Sequence, residues 1–358
     1  MVDRRILIAA TLGLTLVRSF PKLAGAQSGV TEIDVDGAMI LGLSPDAATL
    51  VAVRDLERLE FIDVESLEIR ATSDKVVEFA LIERSSMSWS PSGSHVAFSL
   101  DAWRLGRNSD IFTVDANTAE VANLTYEGSG EVANSLIRDE ESVVDVFPAW
   151  RDDETLVFAR HRMPADALGA GLYTISPLGG EPTLLLDLAG LGIRYVTRAI
   201  HQTAGGKLVT TVEGADRRGR IFLLDERGEA SVIDPPFEGY PDVLAADETH
   251  YLTMDINERN AQIWRVPYDG TEPETINDLF GLEATTGWRA LPIFGPEQGS
   301  ILHVHGEGPV VSVFDGEGVR EVATLPEREA ITRMYWEEST AILCGGTSNW
   351  MLDMSGED

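Results

Sequence analysis

Cysteine is almost absent from this chain, and so is lysine. The single cysteine, Cys344, rules out an intramolecular disulfide. With no positioned partner signalled in the sequence, it reads as a small buried apolar residue and not a reactive thiol. Lysine occurs only at Lys22, Lys75 and Lys207, so nearly all of the 28 basic residues are arginine. Both adaptation to salt and a GC-rich genome produce that composition. Heptads and long amphipathic helical stretches are also missing. Short apolar runs separated by Gly- and Asp-containing turns take their place, the pattern of an all-β chain. No G-x-S-x-G, P-loop, H-E-x-x-H, EF-hand loop or dinucleotide glycine motif is present, so no catalytic class is signalled.

What is plentiful is acid. The 358 residues carry a formal net charge of −31. Phosphate binding needs a net basic face, which argues against a nucleic-acid or anionic-membrane partner. The hydrophobic share, 44%, is ordinary for a globular protein, enough for one large all-β domain.

The first residues resemble an export signal. Arg4 and Arg5 supply the charge, and Ile6 to Val17 form an apolar run too short for a comfortable membrane span. Ala24-Gly25-Ala26 offers a small-x-small cleavage site. The expectation is a signal peptide over 1–26 and a single domain over 27–358. That places the protein in the periplasm, on the cell surface or outside the cell, with no membrane span once the signal is removed. The Arg4-Arg5 pair leaves general and twin-arginine export both open, and the absence of a following cysteine argues against a lipoprotein signal.

Internal repeats decide the architecture. One unit recurs seven times: an alternating apolar strand, an acidic or proline turn, then Gly or a small residue. Its copies begin at Leu59, Ile111, Leu172, Ile221, Ile263, Val311 and Trp350. The turns open at Asp63, Asp115, Ser176, Asp225, Pro267, Asp315 and Asp353, giving spacings of 52, 61, 49, 42, 48 and 38. Propeller blades run to about 40–50 residues. A hairpin precedes each copy, most clearly Met87 to Leu100, with Ser-Pro-Ser-Gly at its turn. The seventh unit stops after its third strand, while a spare strand, Gly29 to Asp36, stands ahead of the first unit. The expected fold is therefore a seven-bladed β-propeller whose last blade is completed by Gly29–Asp36, leaving no open edge. Six blades fit the strand arithmetic less well. Eight would need a hidden unit, for which Glu127 to Val144 is the available stretch.

Ser88 to Gly93 (SWSPSG), Val96 to Ser99 (VAFS), Asp110 to Asp115 (DIFTVD), Asn123 to Thr125 (NLT) and Asp145 to Trp150 (DVFPAW) resemble the repeat of TolB-type, WD40-like propellers. That repeat runs W-S-P-D-G, I-A-F, I-Y-x-x-D, L-T and D-x-x-P-x-W. The likeness is good over two blades and degenerate elsewhere. Ser92 stands where the repeat has Asp, and Arg151-Asp152-Asp153 where it has Ser-Pro-Asp. The resemblance implies the fold and, more weakly, a role in a cell-envelope assembly. Similar propellers also gate serine peptidases, whose hydrolase domain has no signature here.

Several residues invite a chemical reading. His303 and His305 alternate on one strand and so share a face, but no third metal ligand is indicated nearby. Trp89, Trp150 and Trp336 fall at the ends of inner strands and read as inter-blade core. In the TolB-type repeat, Asn123 belongs to a strand, which outweighs its match to a glycosylation sequon. Trp103, Tyr195, Tyr240 and Trp288 fall in segments assigned to loops, where large aromatics more often meet a partner.

Charge divides between the two ends of the ring. The turns joining first to second and third to fourth strands carry mostly acids. The connections at the other end carry Arg104, Arg107, Arg160, Arg162, Arg194, Arg217, Arg218, Arg220, Arg259 and Arg289. Arginine forks onto carboxylates and phosphates and stacks on aromatics. These arginines with Trp103, Tyr195, Tyr240 and Trp288 form the candidate partner-binding face. The competing view is that they are solvated loops whose arginines pair with local acids.

The leading expectation is a non-catalytic exported scaffold that recruits a protein, peptide or glycan at the channel mouth. An alternative is a calcium-dependent lactonase- or hydrolase-like propeller with its site in the axial channel, to which Asp145, Asp242 and Asn257 would contribute. A third is a structural module of a larger envelope complex. No cofactor is expected on the leading view, and calcium belongs to the enzyme alternative. A ring closed by its own ends needs no partner copy, so a monomer is expected.

Overall fold

The computed structural model describes residues 29–55, 57–74, 87–99, 109–125, 143–162, 169–257, 262–283, 290–306, 309–325, 331–345 and 348–355. Their strands form seven antiparallel sheets, one for each repeat.

Blade 1 comprises Met39–Leu43, Thr49–Arg54, Arg58–Asp63 and Ile69–Thr72. Blade 2 comprises Ser88–Trp89, His95–Ser99, Ile111–Asp115 and Val121–Asn123. Blade 3 runs through Val143–Asp152, Thr155–Arg162, Gly171–Ile175 and Thr183–Asp187. In blade 4 two short segments, Ile193–Val196 and His201–Gln202, both pair with Leu208–Gly214, followed by Gly219–Leu224 and Ala230–Ile233. Blade 5 holds Pro241–Ala246, His250–Asp255, Ile263–Pro267 and Glu274–Thr275. Blade 6 holds Ile293–Phe294, Ile301–His305, Val310–Phe314 and Val319–Thr324. Blade 7 is made of Arg333–Glu337, Thr340–Cys344 and Asn349–Asp353, and its fourth strand is Val30–Ile33. That strand pairs antiparallel with the third, Val30 opposite Leu352 and Ile33 opposite Asn349. The closing strand thus lies within the stretch Gly29–Asp36 expected for it.

First strands touch first strands from blade to blade, as Arg333–Glu337 does Met39–Leu43 and Ile293–Phe294, so they surround the axis. The sheets are buried on both faces. In the second strand of blade 2, Val96 and Phe98 pack towards blade 1 while Ala97 packs towards blade 3. The same alternation sends Ile301 towards blade 5 and Leu302 towards blade 7. Seven apolar clusters result, one at each blade junction, the last joining Ile33, Ile342 and Cys344 to Ile40, Leu50 and Ile62. A period of two is what the strand geometry imposes, and packing both faces is what turns a row of sheets into a ring.

The inner-strand tryptophans seal these junctions against the preceding blade. Trp89 meets Phe61 edge-on, with ring centroids 6.0 Å apart. The Trp150 indole N–H donates to the Ser88 carbonyl at 2.9 Å. Trp336 lies over Gly295, where a Cβ would come within 2.4 Å of the ring. Only glycine leaves room there.

The repeated acidic turn has a simple cause: its side chain caps the turn. Asp63, Asp115, Asp225, Asp315 and Asp353 each accept a backbone N–H two or three residues on, at 2.8–3.0 Å. The Ser176 hydroxyl accepts from Leu178 at 3.2 Å. These are Asx and Ser turns. Blade 5 departs from the expected position, since Pro267 cannot play this part and Asp269 takes it, accepting from Thr271 at 3.0 Å.

Candidate functional site

In an antiparallel four-stranded blade the first-to-second and third-to-fourth turns lie at one end. The second-to-third loops and the connections to the next blade lie at the other. The arginine-bearing loops therefore share one face of the ring.

Most described arginines of this face are already committed. On blade 3, Arg160 forks onto Asp145 at 2.7 and 2.8 Å, and its guanidinium sits 5.2 Å from the centroid of the Tyr173 ring. The Asp145 side chain is only 2% exposed, so this is a buried pair. Arg194 reaches Glu213 at 3.3 Å and lies 5.3 Å from the Tyr195 ring centroid. Arg198 pairs with Asp242 of the next blade at 3.3 Å. On blade 1, Arg54 reaches Glu60 at 2.6 Å, and that bond raises the guanidinium pKa.

Tyr195 departs from its expected loop position and sits in the strand Ile193–Val196. Its ring meets His161 edge-on at 5.5 Å. His161 accepts the Val196 N–H on Nε2 at 3.2 Å, and burial lowers its pKa to about 4. This histidine carried no sequence signal, being flanked by Arg160 and Arg162.

Arg58 of blade 1 is exposed, and two further arginines with no ion pair among the described residues stand together on the hairpin between the third and fourth pairing segments of blade 4. Gly214 N–H donates to the Arg218 carbonyl at 3.0 Å, and Arg217 N–H to the Gly214 carbonyl at 2.9 Å. Arg217 is held at φ +62°, in the left-handed region. Arg220 braces the base, donating to Asp216 at 2.9 and 2.6 Å and to Asp234 at 3.2 Å. Its guanidinium holds the Asp216 carboxyl far below the ordinary carboxylate range. Arg220 takes both Asp216 oxygens and one of Asp234, whose side chain stays largely exposed; the Arg217 and Arg218 side chains are exposed and, among the described residues, have no carboxylate partner.

These two arginines line a cleft of about 610 Å³ between blades 4 and 5. Its other walls are Gly219, Asp234, Pro235, Phe237, Glu238, Gly239, Tyr240 and Asn257. The buried carboxylate of Asp255 shapes the far wall, accepting N–H bonds from Tyr240 at 3.1 Å and Asn257 at 2.9 Å. Burial raises the Tyr240 pKa, and its hydroxyl donates to Thr197 at 3.3 Å. Gly219 is required by close approach, because a Cβ there would stand 2.9 Å from the Tyr240 ring and 2.8 Å from Pro241. The dense run from Pro235 to Pro241 was the available sequence signal for Phe237 and Glu238, but only the fold brings it opposite Arg217.

Of the candidate face residues, Arg217, Arg218 and Tyr240 converge on this cleft, with Arg220 as its brace. Arg160, Arg194 and Tyr195 lie elsewhere, in blade 3 and the first segment of blade 4. Arg162 ends a strand, and its side chain is not described. Trp103, Arg104, Arg107, Arg259, Trp288 and Arg289 lie outside the described residues.

The other chemical candidates resolve differently. Asp145 and Asp242 are each engaged by arginine, and Asn257 lies in the blade 4–5 cleft, so the three do not converge. His303 and His305 stack at 5.4 Å, with Phe280 against His303, and burial lowers the His303 pKa to about 3. Among the described residues no three His, Cys, Asp or Glu side chains gather closely enough to hold a metal. Asn123 donates to Asp110 at 2.8 Å. Cys344 is buried, and burial pushes its thiol up to about 12. At the opposite end of the ring, carboxylates bridge blades: Asp153 accepts from Ser92 N–H and Asp247 from Gly299 N–H, both at 2.9 Å.

No family model matches the chain, and no curated protein matches it in sequence. Solved structures do. The β-propeller domain of Cps50 (Swd1) from Myceliophthora thermophila superposes with a TM-score of 0.55 at 14% identity, covering 90% of this chain and 98% of that one. The RRP9 WD40 repeats give 0.56 at 11% identity, covering 92% and 98%. The β-propeller domain of the Trilobed protease from Pyrococcus furiosus gives 0.55 at 14%, covering 89% and 96%. That domain is described as having an open velcro topology, whereas here Val30–Ile33 closes blade 7. The likeness is one of fold: a seven-bladed β-propeller.

Proposed function

We propose that this protein is a binding scaffold that captures a protein or peptide partner on its arginine-bearing loop face. The observation that carries this reading is the blade 4–5 cleft. Arg217 and Arg218 stand exposed at a braced hairpin with no carboxylate partner among the described residues, while Arg220 at its base is paired with Asp216 and Asp234. An unpaired charge beside aromatic surface is where a propeller of this design has binding energy to give. WD40-repeat domains among the similar folds accord with an interaction scaffold. The export signal read over 1–26 and the TolB-type likeness of Ser88 to Trp150 support placing the protein in an envelope or exterior assembly.

Comparative capture tests it. The protein and two variants are immobilised: R217A/R218A on the loop face, and D152N/D153N/E154Q on the opposite turns. Partners held by the wild type and the turn variant, and lost from the loop variant, are the expected result. Equal retention by all three, or loss only from the turn variant, would remove the loop face from the function.

A further inference from the structure

The same cleft has a chemistry narrower than "a partner". We infer that the blade 4–5 cleft takes a free peptide carboxyl terminus, its α-carboxylate on Arg217 and Arg218 and its last side chain against Phe237, Pro235 and Tyr240. The inference rests on the scaffold reading and adds the class of ligand.

Four features lead to it. First, Arg217 and Arg218 line one cleft, both exposed and without a carboxylate partner among the described residues, and a guanidinium presents donors suited to a planar, two-oxygen acceptor. The hairpin that carries them is fixed before any ligand arrives, by the Arg220 fork and by the left-handed Arg217 backbone, a conformation an L-residue adopts at a cost. Second, the chain carries −31 overall, so a polyanion is repelled at long range. The fitting ligand brings one carboxylate on an otherwise neutral or basic body. Third, the walls are mixed: Phe237, Pro235 and the half-buried Tyr240 are in place to cover one side chain, while Asp234 and Glu238 supply acid that favours a ligand with a neutral or basic body. Fourth, Glu238 and Asn257 stand on the rim, exposed and able to meet the N–H groups of an incoming backbone, while Glu238 disfavours a second acid. The volume, about 610 Å³, falls among small-ligand sites, which span roughly 300–1,000 Å³.

A carboxylate can come from a chain terminus or from an internal Asp or Glu, and the test separates them. Three synthetic peptides are titrated by calorimetry at low salt: acetyl-Lys-Ala-Gly-Ala-Leu-Phe as the free acid, the same sequence as the C-terminal amide, and an amide with Glu replacing Leu. The free acid is expected to bind about tenfold or more tightly than either amide, the loss typical of a charge-assisted fork. R217A/R218A should erase that difference, R217K should retain part of it, and R58A, an exposed arginine of blade 1, should leave it intact. In the wild type, the Arg Nε resonances of residues 217 and 218 should shift with the acid alone.

Equal binding of acid and amide overturns the inference, as does preference for the internal Glu, an R58A effect as large as R217A/R218A, or no measurable binding of the free acid. If those results appear while capture still depends on the loop face, the carboxylate assignment falls and the scaffold stands. If capture also ignores the loop face, both fall.

Discussion

At the scale of single residues, most of the charge that looks free in the sequence is bound in the fold. Asp145 and Arg160 illustrate the cost of disturbing it. Removing the carboxylate takes a two-bond, charge-assisted fork from a guanidinium that is only 14% exposed. Asp145→Asn should destabilise the protein by about 3 kcal/mol, the usual penalty for breaking a buried pair, measured by urea unfolding. A second residue works in the opposite sense. Glu337 is half-buried, and burial, with Glu338 beside it, raises its pKa from 4.5 to about 7. The fold holds a proton there that the unfolded chain releases. Its contribution is therefore favourable below pH 4.5 and is lost as pH rises through about 7. Glu337→Gln should match the wild type near pH 4 and exceed it at pH 8, on the order of 2 kcal/mol after allowing for its partial exposure. Equal stabilities at both pH values would show that the carboxyl is better solvated than the structure indicates.

At the scale of strands and turns, the sequence was most informative where the cause is local. The third strand of every blade was readable because period-two burial and a capping Asp or Ser repeat together, and those caps act within three residues. Pro267 shows the limit: it marks the right turn, but the capping work falls to Asp269. Tyr195 was misplaced in a loop because the first strand of blade 4 is interrupted, leaving Ile193–Val196 to pair by itself with Leu208–Gly214. Which arginines are free could not be read at all. Arg198 finds Asp242 on the next blade, and Asp234, in the wall of the cleft, pairs with Arg220. Such pairings depend on how blades abut. The closing strand carries its own prediction. Ile33 is 3% exposed and joins blade 7 to blade 1. Ile33→Ala should cost about 2–4 kcal/mol. Removing residues 29–33 should bare the edge of Asn349–Asp353 and cause self-association visible by light scattering. A monomeric, fully stable truncation would mean that another segment closes the ring.

For the whole molecule, seven inter-blade cores supply stability while 59 acids against 28 bases oppose it by self-repulsion. Screening should relieve that repulsion, since the Debye length falls from about 10 Å at 0.1 M to about 3 Å at 1 M salt. The thermal midpoint should therefore rise with added sodium chloride, and a falling midpoint would mean that the paired arginines outweigh the net charge. The proposed scaffold role places the partner at the arginine-bearing end of the ring, opposite the end where Asp153 and Asp247 bridge blades. Hydrogen exchange with a captured partner tests it most directly. Protection concentrated in 214–219 and 234–240, with the turns at 44–47, 152–154 and 247–249 unchanged, is the predicted result. Protection of those turns with 214–219 still exchanging freely would contradict it.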